Sequence, residues 1–344
     1  MASPDAGRGI IGSLRHAGGK VRRRAGRFQR AGVRHNGGGP GAEYPRTYRV
    51  DPAPPPVPDD WPEPPSVDGP FKAVEPTVEP ALVSYDVSLF EKLNAEYASS
   101  PISPIAPLYD SASVSERARK RVASVHRRIS LSGRTTLEVG CGAGYEVWYA
   151  AHQFGADAWG VDVAPRQAWP HLTGDRVHLI AGDISGEHGL RDSTFERVMS
   201  FTVWEHIRHP YTALAQTYRI MKPGGLCWMR ANLYRGPTAS HRSRDIYFPF
   251  PHLLFDDDVI AEGLSRAGRQ PIGAAWVNRL TWEQYEQAMI EIGFIIRSLE
   301  FDIRPLDEAF YSRFEDVLGR YPRRDLERAF FNVTLEKPLR EMYR

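Results

Sequence analysis

Cysteine is nearly absent: the 344 residues contain only Cys141 and Cys227, both in core strand or turn positions. Two thiols in so long a chain make no disulfide framework, so a reducing setting is expected. Long apolar runs are missing too, and no stretch approaches the ~18 consecutive apolar residues of a membrane span. The first 30 residues lack the apolar h-region of a signal peptide, so export is not expected and the expected location is cytoplasmic. A strong net charge is also lacking, but the value of +2 conceals an asymmetry. Residues 1–50 hold 11 Arg or Lys against 2 acids, a balance of +9, which leaves 33 against 40, or −7, for the remainder.

That first stretch sets Arg22-Arg23-Arg24 and Arg27 among glycines that disfavour a helix, and 1–50 is expected to be a disordered basic tail. A weak hold on an anionic membrane surface, which would make the protein peripheral there, and a hold on nucleic acid phosphates are both open to it. A solvated tail without a partner fits equally well. Residues 51–80 carry 11 prolines and 7 acids, so 51–84 reads as a semi-extended linker of polyproline II character. Order is expected to resume in a helical lid or lead-in over 85–130, where Asp86 can cap a helix with Leu89, Phe90, Leu93 and Tyr97 on one face. A second helix from Ser115 to Ile129 turns Val122 and Val125 inward and leaves Arg117, Arg119, Lys120 and Arg121 largely solvated.

From 131 to 344 apolar strands and helices alternate, with strands near 134–139, 157–162, 177–181, 196–202, 225–231, 293–301 and 329–336. Alternation of this kind predicts an α/β fold, a doubly wound, mostly parallel seven-stranded sheet with helices on both faces. Thr281-Trp282-Glu283-Gln284 matches a capping box and opens a helix that closes at Gly293. A helical insert from Leu306 to Arg328 separates the last two strands.

The most informative stretch is Thr136-Leu137-Glu138-Val139-Gly140-Cys141-Gly142-Ala143-Gly144. A strand that runs into three alternate glycines lets a ligand approach the main chain, and the following helix offers amide donors. Tyr145 stands where the dinucleotide fingerprint wants its last glycine, which counts against NAD. The next strand ends at Asp162, where a carboxylate can accept two ribose hydroxyls, and the third leads to Asp183-Ile184, where an adenine could be hydrogen-bonded and sandwiched. Either acid alone reads equally well as a helix N-cap. Both in register behind the glycine turn favour a nucleoside cofactor.

The words Glu138 to Gly144, Glu205-His206 and Lys222-Pro223-Gly224-Gly225 resemble the class I S-adenosylmethionine-dependent methyltransferases, in the broad small-molecule group with E-x-G-C-G-x-G, E-H and K-P-G-G. The likeness runs over about 115–336 and implies S-adenosylmethionine as cofactor, held by Glu138, Gly140, Cys141, Gly142, Gly144, Asp162, Val163, Asp183, Ile184 and Phe201.

The acceptor is expected beyond strands four and five, where an insert of about 50 residues (232–280) gathers histidines, arginines and aromatics between Ser240 and His252. A hydroxyl acceptor needs its proton removed during in-line attack, and histidine suits that role, so His206, His241 and His252 are the candidate bases. Glu205, Arg244 and Tyr247 are expected to border the acceptor. In some RNA and quinone-precursor relatives Glu-x-x-Glu-His and a further histidine bind a divalent metal. Here Thr202 holds the first glutamate position, so no metal is expected. The expected reaction is O-methylation of a sugar, a glycan or glycolipid precursor, or a polar natural product, because the Asn/Asp-Pro-Pro-Tyr/Phe word of nucleic-acid amino-methylating relatives is replaced by Thr202-Val203-Trp204-Glu205. An RNA methyltransferase recruited by the basic tail and a non-catalytic cofactor-binding regulator are the alternatives.

Overall fold

Seven strands form one sheet in the order β3-β2-β1-β4-β5-β7-β6. They are β1 (Thr135–Val139), β2 (Asp157–Asp162), β3 (Val177–Ala181), β4 (Phe195–Phe201), β5 (Met221–Asn232), β6 (Ile295–Ile303) and β7 (Arg328–Glu336). The structure is a computed structural model that describes residues 84–102, 111–186, 188–271, 273 and 277–339. The basic tail, and all but the last residue of the Pro-rich linker, lie outside the described residues.

β1 to β5 pair in parallel, and β7 runs antiparallel to both β5 and β6. The expected α/β sheet is thus present, with the chain reversing only at the far edge. Strand order changes direction between β1 and β4, and at such a switch point the loops leave a crevice at the carboxyl ends of the strands. β5 begins at Met221 rather than near 225, because Met221 pairs with Phe195 before a bulge that ends at Leu226 opposite Arg197.

Among the described residues the helices are α1 (Val87–Glu96), α2 (Ser111–Ile129), α3 (Tyr145–Phe154), α4 (Trp169–Leu172), α5 (Pro210–Ile220), α6 (Pro251–Leu254), α7 (Asp257–Arg266), α8 (Trp282–Ile292), α9 (Glu308–Arg313), α10 (Glu315–Leu318) and α11 (Arg323–Glu327). Both expected caps are made. Asp86 accepts from the Leu89 amide at 2.9 Å, and Thr281 and Gln284 satisfy each other's amides before α8 closes at Gly293.

Three apolar clusters follow from which faces these elements bury. One joins β4, β5 and β7 to α5 and α8 and includes Val198, Met229, Phe331 and Leu214. A second joins α2 and α3 to the sheet through Val122, Val125, Val147 and Ala158. The third has its own aromatic centre, Phe90, Phe248, Phe255, Phe310 and Phe314, contributed by α1, the 232–280 insert and α9 to α11. Phe90 meets Phe248 and Phe255 edge-on, each pair 5.5 Å between ring centres. A fully buried ring of this kind stabilises by about 1.5–3 kcal/mol.

The expected lead-in therefore divides: α1 belongs with the insert, while α2 packs on α3. The expected helical insert over 306–328 consists of three short helices, α9 to α11. Asn94 of α1 ties the two parts of the aromatic unit, with its Nδ2 donating to the Asp245 carbonyl at 2.9 Å and its Oδ1 accepting from the Tyr247 amide at 2.8 Å.

Candidate functional site

Gly140 and Gly142 show why the turn after β1 needs glycine. Both have positive φ, 72° and 48°. A Cβ on Gly140 would collide with the Val203 side chain in the loop after β4, whereas one on Gly142 would meet nothing within 4 Å. One glycine is required by packing and the other faces open space, which is what a ligand cradle requires.

The turn is braced from behind. The amides of Gly140 and Cys141 donate to the Val161 carbonyl at 2.8 and 3.1 Å, the Gly142 amide donates to Asp162 Oδ2 at 2.8 Å, and Trp169 Nε1 donates to the Gly142 carbonyl at 2.8 Å. Gly144 is the N-cap of α3 and supplies no side-chain acceptor to the first-turn amides.

Around this turn stand three acids, Glu138, Glu146 and Asp162, and two arginines, Arg121 and Arg166. Glu138 is buried and its Oε2 has no hydrogen-bond partner. Burial, then the charges of Glu146 and Asp162 against the opposing pull of Arg121, holds its carboxyl well above the usual range. Arg121 pairs with Glu146 at 3.0 Å and lies 5.4 Å from the Phe201 ring centre. It is therefore not the largely solvated residue expected on α2. Asp162 also takes Arg166 at 3.4 Å. A carboxylate offers about four lone-pair sites, and these two bonds leave capacity for ligand hydroxyls. Val163, next to Asp162 at the carboxyl end of β2, is 45% exposed. An orphaned buried oxygen, an open glycine cradle and the lone pairs that Asp162 keeps for ligand hydroxyls fit a nucleoside such as the cofactor that the resemblance implies.

Other expected members sit elsewhere. Ile184 is 5% exposed and packs within the sheet's first cluster, so it does not offer a face to an adenine. Asp183 spends Oδ1 on the Ser185 amide at 2.8 Å, forming a turn at its own loop. Phe201 is buried against Trp228, and Cys141 is buried beneath the turn. Both form floor rather than wall, because their strand and turn positions point them into the core.

On the acceptor side, Thr202 is in the left-handed region and its hydroxyl donates to the Phe201 carbonyl at 2.7 Å. The chain then makes a 3-10 turn at Trp204–His206. That turn is clamped by two residues that sequence reading missed. Asn278 Nδ2 donates to the carbonyls of Trp204 at 2.7 Å and Ile207 at 3.2 Å, its amide donates to the Glu205 carbonyl at 2.8 Å, and the Tyr285 hydroxyl donates to the Trp204 carbonyl at 3.1 Å. Asn278 sits 71 residues or more from the carbonyls its side chain holds, so no local pattern announces it.

Glu205 is buried, neither of its carboxylate oxygens has a hydrogen-bond partner, and burial pushes its carboxyl up to about 7 against the facing backbone amides of Glu205 and Asn232. His206 and His241 come together edge to face with ring centres 4.6 Å apart, each with an exposed edge. Loss of solvent on its inner side, then the charges of His206 and His252, lowers the pKa of His241. His252 is different. It is buried in α6, its Nε2 donates to the Tyr234 carbonyl at 2.7 Å, and burial pushes it down to about 4. It acts as a strut between insert segments, so the expected trio of bases is a pair and a support.

Of the expected acceptor contacts, Tyr247 is half-buried and its backbone anchors α1 and Ile102, and Arg244 is half-buried in the same turn.

A family model described as a methyltransferase domain matches residues 137–229. A tRNA U34 carboxymethyltransferase of Idiomarina loihiensis is 34% identical over 104 residues, covering 28% of this chain and 32% of the relative. A ubiquinone biosynthesis O-methyltransferase of Pseudomonas entomophila is 32% identical over 124 residues, covering 35% of this chain and 53% of the relative. The chain thus spans about a third to a half of the length of these curated relatives. Among solved structures, an S-adenosylmethionine-dependent methyltransferase from Mesorhizobium loti superposes with a TM-score of 0.44 at 17% identity, over 64% of this chain and 99% of that one.

Proposed function

We propose that the protein, whose residues 137–229 match a methyltransferase domain, moves a methyl group from S-adenosylmethionine to an oxygen of a polar acceptor: a sugar, a glycan or glycolipid precursor, or another polar natural product. When bound, this cofactor supplies an electrophilic methyl group on a cationic sulfur. Glu138, Gly140, Gly142, Asp162 and Val163 would hold it, Asp162 through the lone pairs it keeps for ligand hydroxyls.

One observation carries the reading. Gly140 of the cofactor turn abuts Val203, and Val203 is followed directly by the turn that carries Glu205 and His206. The cofactor cradle and the Glu205-His206-His241 cluster therefore share one wall, as in-line attack requires of donor and acceptor sites. Glu205 lies on a turn held by Asn278 and Tyr285, and His241 is presented by an insert whose aromatic cluster fixes it from behind. The cluster's role is to align an acceptor hydroxyl and take charge of its proton. Oxygen as the acceptor atom is supported by the polar, histidine-bearing wall and by Thr202-Val203-Trp204-Glu205 in place of the amino-methylating word.

A second reading, an RNA acceptor met through the basic tail, is favoured by the likeness to tRNA U34 carboxymethyltransferases and by the 11 Arg or Lys of residues 1–50. Incubation with methyl-labelled S-adenosylmethionine, separately with a polar metabolite extract and with total tRNA, separates the two. The expected label appears in the low-mass polar fraction. Label confined to tRNA moves the acceptor to RNA, and cofactor binding without label in either fraction points to a silent binder.

A further inference from the structure

Among the described residues six that are not glycine have a positive φ, and four of these, Thr202, His241, Phe250 and Arg279, lie in the loop after β4 or in the insert. Backbone strain of this kind persists only where the surroundings over-determine it, and it collects where a protein binds something. Of the four, Arg279 carries a charge at every working pH.

Arg279 stands at φ 59°, a conformation that glycine or asparagine would adopt at far less cost. Its neighbours impose it. Asn278 and Leu280 are buried, the Asn278 amide donates to the Glu205 carbonyl at 2.8 Å, and the Leu280 amide donates to Asn278 Oδ1 at 3.2 Å, so a side-chain turn closes around Arg279 and leaves it exposed. Its guanidinium lies 5.1 Å from the ring centre of Tyr234, two residues beyond the end of β5. Burial lowers the pKa of His252 and the charge of Arg279 adds to this, while His252 in turn acts on His241. Arg279, Tyr234, His252, His241 and His206 thus form one band beyond the carboxyl ends of β4 and β5.

The other arginines of β5 and the insert show what this band lacks. Arg230 pairs with Asp302 at 3.1 Å, Arg235 with Asp325 at 2.9 Å and Arg242 with Asp245 at 3.2 Å. Among the described residues no carboxylate pairs with Arg279. Glu205 does not supply one, because it is buried and the cation that acts on it is Arg230. We infer that Arg279 is the anchor for an oxyanion of the acceptor, a carboxylate or a phosphate. A planar guanidinium presents paired N–H donors that match either group, and a ring against its face leaves that edge free for them.

That the ligand is the methyl acceptor rests on the methyl-transfer reading; the anion site itself rests on Arg279 and its neighbours. Under that reading an acceptor gripped at its charged end would present a hydroxyl along the band to His241 and His206, the alignment that in-line attack needs. Arg279 is then a specificity residue, and it narrows the acceptor from polar compounds in general to acidic ones such as a sugar acid, a phosphorylated sugar or a hydroxy acid.

The test mixes the full-length chain with a polar metabolite extract in excess S-adenosylhomocysteine and identifies what the protein retains by mass spectrometry. The retained compounds are expected to carry a carboxylate or phosphate, and Arg279→Asn should retain them at least roughly tenfold less. Asparagine tolerates the left-handed backbone, so the unfolding temperature of the variant should hold or rise, which the loss of a merely structural arginine would not give. Its S-adenosylmethionine affinity should stay within about threefold. Arg191→Asn, at an exposed position in the loop before β4, should change nothing. Phosphatase treatment of the extract separates the two sources: lost retention marks a phosphate, persistent retention a carboxylate, and both uphold the anchor. Retention of uncharged compounds, no retention at all, or equal retention by Arg279→Asn overturns it. Anionic compounds that are retained through Arg279 but take no label from methyl-labelled S-adenosylmethionine would keep the anion site and remove the methyl-transfer reading. Label in an uncharged compound would keep that reading and remove the site.

Discussion

The two walls that we propose for cofactor and acceptor are built in different ways. The cofactor wall is local: Glu138, the glycines, Asp162, Val163 and Trp169 lie within about 30 residues, and their hydrogen bonds join neighbours such as Gly142 to Asp162 and Trp169. The acceptor wall is assembled from afar. Glu205 comes from the β4 loop, its clamp Asn278 and Tyr285 from the end of the insert and α8, His241 from the insert itself, and the insert is pinned by Asn94 of α1, 151 residues from Asp245. A βα turn that must meet the same cofactor admits few sequences. A wall that must meet one acceptor is free to draw on any element that reaches the strand ends. The difference predicts that damage to the first wall falls on cofactor binding or, where a glycine also fits against the Val203 loop, on stability, and damage to the second on turnover or on stability of the insert.

The largest effect is expected at Gly140. Valine there would need a positive φ and would occupy the space of Val203, so we expect Gly140→Val to lose about 3–5 kcal/mol of stability from overpacking and backbone strain together. Thermal unfolding with near-native stability would show that the two loops do not touch. Asn278→Ala comes next. It strips donors from the buried Trp204 and Ile207 carbonyls and is expected to cost about 2–4 kcal/mol. Turnover should fall by more than cofactor affinity, and an equal loss in both would place the clamp on the cofactor side.

Gly142→Ala sharpens the contrast between the two glycines. With open space around its Cβ, only the backbone resists, by about 1 kcal/mol, while cofactor affinity should drop because the methyl group enters the cradle. Full retention of affinity would put the ligand elsewhere. The smallest effect concerns residues 1–50. Their removal should leave cofactor affinity unchanged while abolishing any salt-sensitive association with anionic vesicles or RNA. A fall in cofactor affinity would show that this stretch contributes to the domain.

How much of this was legible in the sequence follows the same division. The sheet, both helix caps, the glycine turn and Asp162 were all read from local patterns, because the chemistry of a strand-to-helix turn is written within a few residues. Ile184 was misplaced because an aliphatic residue at a strand end looks the same whether it faces ligand or core. Arg121 was assigned to solvent because its partner Glu146 lies on the next helix and its cation-π partner Phe201 on another strand. His252 was grouped with His241 by proximity in sequence, but α6 turns it inward to the Tyr234 carbonyl. Asn278 and Tyr285 gave no signal at all, since a buried amide clamp has no periodicity.

The most direct test of the account is calorimetric titration of the wild-type chain and Asp162→Ala with S-adenosylmethionine. The account predicts one site per chain in the wild type, weakened in the variant by roughly 1.5–3 kcal/mol for each charge-assisted hydrogen bond lost. No binding by the wild type, or equal affinity in the variant, would contradict it.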